Sequence, residues 1–329
     1  MTTDSECLTF EEALRQLAME RALISSSALY ALSAPTSGEV ELFRGQWPTV
    51  SLHRRRQVIT LLAESAEANF ELDFNALFRV TMDDDDEQVR KQSIEGLWED
   101  EEATLVAPLV RALRRDPAMS VRAAAAASLG RFVLLAELEE LGERYATLVR
   151  GALLESVHED EEHVEVRRRA VESIAYLGEE CVRDIIAAAY DELDEAMRIS
   201  AVFAMGRSGD AHWAPVVQEE LLNENPAMRY EAARACGELQ VKDAVPVLIR
   251  FISDPDRELQ FAAIAALGQI GGQQARRVLE LCCQSEDEVV QLVAEDALAE
   301  LQLWEQPLDI LDEDDLMEDE QDDETGPEL

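Results

Sequence analysis

The sequence predicts an all-α fold, a solenoid of stacked helical hairpins, and three observations carry that prediction. A ten-residue segment recurs at a fixed interval: residues 197–206 (MRISAVFAMG) return 31 residues later as 228–237 (MRYEAARACG), and after another 31 as 259–268 (LQFAAIAALG). Within each copy the apolar and small residues fall at helical spacing. Between copies lies a second amphipathic segment, closed by an acidic or proline-bearing turn. Such a recurrence marks units that bury themselves against their neighbours rather than around one centre. A chain of 329 residues therefore need not divide into two globular domains. The expected architecture is a right-handed α-α superhelix of about eight helical hairpins behind a helical N-terminal cap.

Residues 1–50, the cap, are helical without the repeat signature. Thr9 and Glu12 have the spacing of a capping box, in which each side chain satisfies the other's free backbone N–H, at the head of an amphipathic stretch over 9–32. Ser25, Ser26 and Ser27 offer a break in that stretch. Residues 34–38 (APTSG) and 45–49 (GQWPT) read as turns, since Pro48 cannot continue a helix. Phe43 and Trp47 are expected to pack the cap over the first repeat's apolar edge. Residues 52–66 and 73–82 follow as a first, diverged helical pair. His53 with Arg54, Arg55 and Arg56 is the one basic cluster in this part, and it reads as a solvated helix start.

From Val89 the repeat is explicit. Anchors fall at Val89, Val121, Val166, Met197, Met228, Leu259 and Val290, at intervals of 32, 45 and then 31 four times. Small residues stand four and seven positions on, as with Ala201 and Ala204 or Ala263 and Ala266. A larger apolar residue or Cys stands eight on, as with Met205, Cys236 and Leu267. These offsets share one helix face, and the small residues let neighbouring backbones approach closely. The intervening helices carry Pro108, Pro215 or Pro246 in the first turn, where the N–H groups lack intrahelical partners anyway. The 45-residue interval is 14 longer than the common period, mostly within about 131–144. There Leu134, Leu135, Leu138 and Leu141 continue the helical spacing, so the helix is expected to run on before the chain turns.

An acidic turn, then Val-Arg, small residues and a closing Leu-Gly resembles the HEAT-repeat family, in particular the short bacterial form found in phycobilin lyase-like proteins. The likeness covers about residues 51–303. It implies a ladder of stacked side chains, in which each Arg pairs with the acid six residues before it and with the neighbouring repeat's. The matching pairs are Asp84/Arg90, Asp116/Arg122, Glu161/Arg167, Glu192/Arg198 and, with an amide, Asn223/Arg229. The ladder fades at Asp254/Gln260 and is gone at Ser285/Gln291. The resemblance implies a binding scaffold; its alternative is a phycobilin lyase-like enzyme or enzyme subunit acting on a tetrapyrrole or small ligand. Some HEAT-like hydroxylases bind two irons through several His–Glu pairs. This chain offers one, His158-Glu159 with His163, spaced i, i+5 rather than the i, i+4 that puts two His on one helix face.

With 29 Lys and Arg against 70 Asp and Glu, the net charge is −41. Such a surface repels phosphate backbones and anionic bilayers, which turns the reading from nucleic acid and membrane toward a basic or amphipathic protein or peptide. No apolar run comes near the roughly 18 residues of a membrane span. The five cysteines, Cys7, Cys181, Cys236, Cys282 and Cys283, contain no CxxC and read as reduced, mostly buried thiols of a cytoplasmic protein. No catalytic, cofactor-binding or metal-ligating residue is assigned. The chain is read as not an enzyme, and as a monomer or a weak self-associator.

The candidate site comes from helix geometry. Two residues past each anchor lies about 175° from the core direction, at about 100° per residue. Along the stack that position holds Lys91, Ala123, Arg168, Ile199, Tyr230, Phe261 and Leu292, turning apolar and aromatic in its last four members. Phe203 borders the same strip, and Arg234, Arg207 and Glu238 flank it. The expected partner-binding residues are Ile199, Phe203, Tyr230, Arg234, Phe261 and Leu292, an inner row about 30 Å long at the usual interhelical spacing. Residues 304–329 change composition. Glu305 onward holds thirteen acids and no Lys or Arg, interrupted by Leu308, Ile310, Leu311, Leu316 and Met317. Such a tail is expected to be disordered, as a solubilising segment or as a motif that docks on a partner or on the chain's own inner face.

Overall fold

The turns that precede the second helices share one chemical plan. Asp84, Asp116, Asn223 and Asp254 each accept, through Oδ1, the backbone N–H two residues on, at 2.8–3.0 Å; short Asp and Asn side chains favour this closure. After Asp84, Asn223 and Asp254 the residue two positions on, Asp86, Asn225 or Asp256, then caps the helix, whereas α8 opens at Ala118 without a side-chain cap. Asp86 accepts from Val89 N–H, Asp194 from Met197 N–H and Asp287 from Val290 N–H, each cap contributing about 1 kcal/mol. The repeat anchor is thus the third residue of its helix, the first that can face inward.

The computed structural model describes residues 8–20 and 22–305, with side chains to Leu303. Cys7 and residues 306–329, the bulk of the acidic tail, lie outside the described residues. Among those described there are eighteen α-helices and no strand. The chain divides into two compact units, Met1–Trp213 and Ala214–Leu329. The first contains α1 (Phe10–Ala18), α2 (Ser26–Leu32), α3 (Ser37–Gln46), α4 (Leu52–Ala68), α5 (Asn75–Thr81), α6 (Glu87–Gly96), α7 (Val106–Arg115), α8 (Met119–Glu137), α9 (Glu143–His158), α10 (Val164–Ile174), α11 (Glu180–Tyr190) and α12 (Glu195–Arg207). In the second are α13 (Ala214–Glu220), α14 (Pro226–Glu238), α15 (Val245–Phe251), α16 (Arg257–Ile270), α17 (Gly272–Cys282) and α18 (Glu288–Glu305). Each unit has the hairpin order of a solenoid. In the first, α4, α6, α8, α10 and α12 form a row of second helices, each packed on the next, while α5, α7, α9 and α11 pack on their following partners. In the second, α14, α16 and α18 form the row, and α13, α15 and α17 back them.

The offsets read from the sequence are the packing face. Anchors Val89, Val121, Val166, Met197, Met228, Leu259 and Val290 are buried, as are the small residues at offset 4. The closing glycines have a specific task. A Cβ on Gly237 would lie 2.8 Å from Ala266 Cα, and one on Gly268 would lie 2.8 Å from the Ala297 carbonyl oxygen. Neighbouring second helices therefore touch backbone to backbone, which no side chain could permit.

The structure departs from the sequence reading in several places. Residues 52–66 and 73–82 are not one hairpin: α4 lies in the row of second helices, whereas α5 packs on α3 and α6. The turn expected at 34–38 is shorter, because Thr36 and Glu39 make a second capping box and α3 opens at Ser37. Arg54 is not at a solvated helix start; it is buried, donating from Nε to Leu17 O at 2.8 Å and from Nη2 to Ala22 O at 2.9 Å. These carbonyls close α1 and its following loop, and the guanidinium supplies donors they otherwise lack. The lengthened helix does run on, to Glu137. By length and composition α8 is apolar enough to cross a membrane, which corrects the expectation that no run comes near; more than half of it is buried inside the first unit.

The ladder is present in the first unit with its partners shifted. Arg55 pairs with Asp84 at 2.6 Å, Arg90 with both oxygens of Asp116 at 2.7 and 2.8 Å, and Arg167 with Glu192 at 2.9 and 3.0 Å. The acid is the next repeat's. Where Arg90 and Arg122 meet their own turns they donate to backbone carbonyls, of Asp84 and Asp116, at 2.8 and 2.9 Å. After the insertion, Glu161 stays exposed and Glu162, held by His163 N–H, takes both bonds from Arg122. In the second unit Arg229 reaches only the carbonyls of Asn223 and Glu224, Gln260 turns to Ile252 O, and Gln291 bonds Glu295 in its own helix.

Candidate partner-binding surfaces

The predicted row falls in two units, and each part is described within its own. In the second unit Tyr230 and Arg234 stand on α14, Phe261 on α16 and Leu292 on α18, at equivalent positions of helices that pack in sequence. Tyr230 and Phe261 are half-buried, and Leu292 is 58% exposed. None of the three faces the core. The rings are not bare, however. The guanidinium of Arg234 lies 5.9 Å from the Tyr230 ring centre and that of Arg257 lies 4.9 Å from the Phe261 ring centre. Both arginines also hold acids: Arg234 pairs with Glu231 and Glu238 at 3.2 and 3.6 Å, and Arg257 with Asp287. Each aromatic therefore presents an edge beneath a charged plane, a mixed apolar and ionic surface in place of the plain apolar strip expected. In the first unit Ile199 and Phe203 are half-buried on α12, with Arg207 5.4 Å from the Phe203 ring centre.

Sequence reasoning missed a groove on the corresponding face of the first unit. It has a volume of about 610 Å³ and runs along α6, α8 and α10. Ala123, Ala124 and Ala127 form its floor, Trp98 and Met119 line it with 42% and 40% exposure, and Lys91, Arg131 and Arg169 supply cations. The signal was the alanine run 123–127, of which the offsets assign Ala123 to the outward row as a small residue and Ala125 to the packing face. Alanines on a middle helix flanked by longer side chains leave a furrow. Phe70, 76% exposed, meets Trp98 edge-on at 6.4 Å and extends the aromatic wall.

The residues with chemistry elsewhere serve local structure. His158 Nδ1 lies 2.7 Å from Leu154 O, and His163 Nδ1 accepts Glu165 N–H as the cap of α10. The single His–Glu pair thus builds no shared donor set of the kind a di-iron centre needs, and among the described residues no group of three or more His, Cys, Asp or Glu converges. Cys236 and Cys282 are buried and Cys181 is exposed, where its hydrogen bond to Glu179 pushes its pKa up, which favours the thiol. Burial pushes the Cys236 thiol up to about 12.

A profile of the family described as HEAT repeats matches residues 74–158 and 214–299. Deoxyhypusine hydroxylase from Eremothecium gossypii is 29% identical over 103 residues, which is 31% of this chain and 32% of that protein. The match thus spans about a third of the length of that curated relative. It also corrects the reading of the chain as not an enzyme: an enzyme carries a related sequence, and an enzymatic role stands among the chain's functions to be tested. Among solved structures, the complex of CpcE and CpcF of phycocyanin lyase from Nostoc sp. PCC7120 superposes at a TM-score of 0.51 and 20% identity, covering 69% of this chain and 88% of that one, a likeness of fold.

Proposed function

The chain belongs to the HEAT-repeat family, and we propose that it acts as a protein-binding scaffold whose second-helix faces hold a basic or amphipathic protein or peptide. The observation that carries this reading is the surface of α14, α16 and α18. Tyr230 and Phe261 stay half-open beside Arg234 and Arg257, next to an exposed Leu292. Aromatic and arginine side chains are the usual energetic centres of protein interfaces. Ile199 and Phe203 give α12 the same composition. The acids around these arginines, and the net charge of −41, favour a cationic partner over nucleic acid or an anionic membrane. A cytoplasmic setting with reduced thiols belongs to the same reading.

The test is a tagged parent chain compared with a Tyr230→Ala/Phe261→Ala variant of matched helicity and melting, with bound proteins quantified by mass spectrometry. Selective loss of a basic partner from the variant supports the reading, and equal recovery overturns it. A second reading, favoured by the likeness to deoxyhypusine hydroxylase, gives the chain an enzymatic role. Incubation of the purified protein with a deoxyhypusine-bearing substrate, followed by mass spectrometry for hydroxylation, decides it. An absorption spectrum and metal analysis of the same sample test for a bound chromophore or metal.

A further inference from the structure

One junction of the second unit lacks a part that its counterpart in the first unit contains. Between α6 and α8, Arg90 crosses from the carbonyls of Asp84 and Asp85 to both oxygens of Asp116, and the cavity beside it measures about 330 Å³. Between α16 and α18 the residues at the same register are Gln260 and Ser285. The amide is shorter than a guanidinium and turns back to Ile252 O, and the cavity there measures about 530 Å³.

This cavity lies wholly within the second unit and has an apolar wall and a polar end. Ile249, Ile252, Val278 and Leu281 form the wall, Leu281 with 67% exposure. At the polar end, Gln260 Nε2 is taken up by the Ile252 carbonyl, while Oε1 is buried and accepts no hydrogen bond. A buried acceptor left without a donor is costly. Asp287 also lines the cavity, but Arg257 and the N–H groups of Val289 and Val290 already hold its carboxylate. Glu286 and Glu288 on either side of it are exposed, pair with no base among the described residues, and give the approach a negative field. No Lys or Arg is in the lining. What the place lacks is a donor, and what its surroundings attract is a cation.

We propose that this cavity receives an arginine side chain of the basic partner, which completes from outside the rung that Gln260 is too short to make. The inference rests on the reading of a basic partner and names the side chain it inserts. Arginine has the required form: an apolar stem for the aliphatic wall and a rigid fork of N–H donors for Gln260 Oε1. A lysine ammonium is compact and strongly hydrated, and it suits a site whose carboxylate is already held less well.

The probe is Nα-acetyl-arginine amide, titrated into the full-length chain at about 0.15 M salt. The methyl signals of Ile249 and Ile252 are followed by NMR, after assignment through Ile249→Val and Ile252→Val. Both signals shift, with half-saturation at about 1 mM. The norleucine analogue, which keeps an apolar stem and has no donor, leaves them in place, and the lysine analogue binds about fivefold more weakly. Gln260→Glu offers a charged acceptor and tightens the arginine probe about fivefold. Gln260→Arg with Ser285→Asp supplies the rung from within the chain and abolishes the response, with helicity and melting retained. No shift at about 20 mM probe overturns the proposal. So does an equal response to norleucine or lysine, an equal constant in Gln260→Glu, or an unchanged response in the Gln260→Arg/Ser285→Asp chain. If Tyr230→Ala/Phe261→Ala loses a basic partner that Gln260→Arg/Ser285→Asp still recovers, this inference falls and the scaffold reading stands.

Discussion

From Arg90 to Asp116, and again from Arg122 to Glu162, neighbouring repeats of the first unit meet through paired hydrogen bonds between guanidinium and carboxylate. At the same register in the second unit, Gln260 and Gln291 bond within their own repeats. What joins α14 to α16 and α16 to α18 is the close approach at Gly237 and Gly268, with one exposed pair, Arg257 with Asp287, added at the mouth of α18. Both units keep the capped turn and the buried anchors. The comparison separates what sets the period from what reinforces it. The turn and the small-residue face are common to both and suffice to build the stack, whereas the shielded charged rungs belong to the first unit, the second having at this junction only the exposed Arg257–Asp287 pair.

Five measurements sharpen or break that contrast. The largest effect is expected from Gly268→Val, since its Cβ would meet Ala297 backbone and Cβ atoms at 2.8–3.1 Å with no flexible neighbour to move. A loss of about 3 kcal/mol in chemical denaturation follows from overpacking. Asp116→Ala comes next, at about 2 kcal/mol, because it strips Arg90 of both charged bonds at a pair only 12% and 9% exposed and removes the turn bond to Ala118. Hydrogen exchange should place that loss in the first unit, and a loss spread evenly over both units would break the comparison.

Acid titration gives the third. The Arg56 hydrogen bond holds the Asp86 pKa down; at Glu162 burial pushes upward, but Arg122 and the His163 N–H outweigh it. With folded values depressed, the unfolded chain binds more protons in this window. The stabilisation is therefore present above about pH 4.5 and lost as pH falls further. Asp86→Asn with Glu162→Gln should flatten that acid limb. Fourth, Gly151→Ala raises stability by about 0.7 kcal/mol, since this helical glycine has open space around it, unlike Gly268. The smallest effect belongs to Arg257→Gln. Its pair with Asp287 is exposed, and the denaturation midpoint should stay within error.

The period, the packing face and the fading of the ladder were legible because each rests on residues a fixed distance apart in one helix. What the spacing of single residues could not show were relations across helices. The sequence places Arg54 beside two other arginines, and nothing local distinguishes the one that turns inward to Leu17 O. Likewise offset 2 names Ala123 as small. The furrow there exists only because longer side chains of α6 and α10 stand on either side. The rings of Tyr230 and Phe261 were found by position, but the guanidinium above each depends on rotamers that a helical wheel does not specify.

Arg122 finds its acid at Glu162 although 14 additional residues intervene, while its own turn keeps the carbonyl bond that Arg90 and Arg229 also make. A joint that closes on whichever carboxylate arrives in reach tolerates changes in spacing that a packed interface would not. The connection between α8 and α9 is thus a natural place to splice in a foreign peptide or reporter, with the stack on either side left in register.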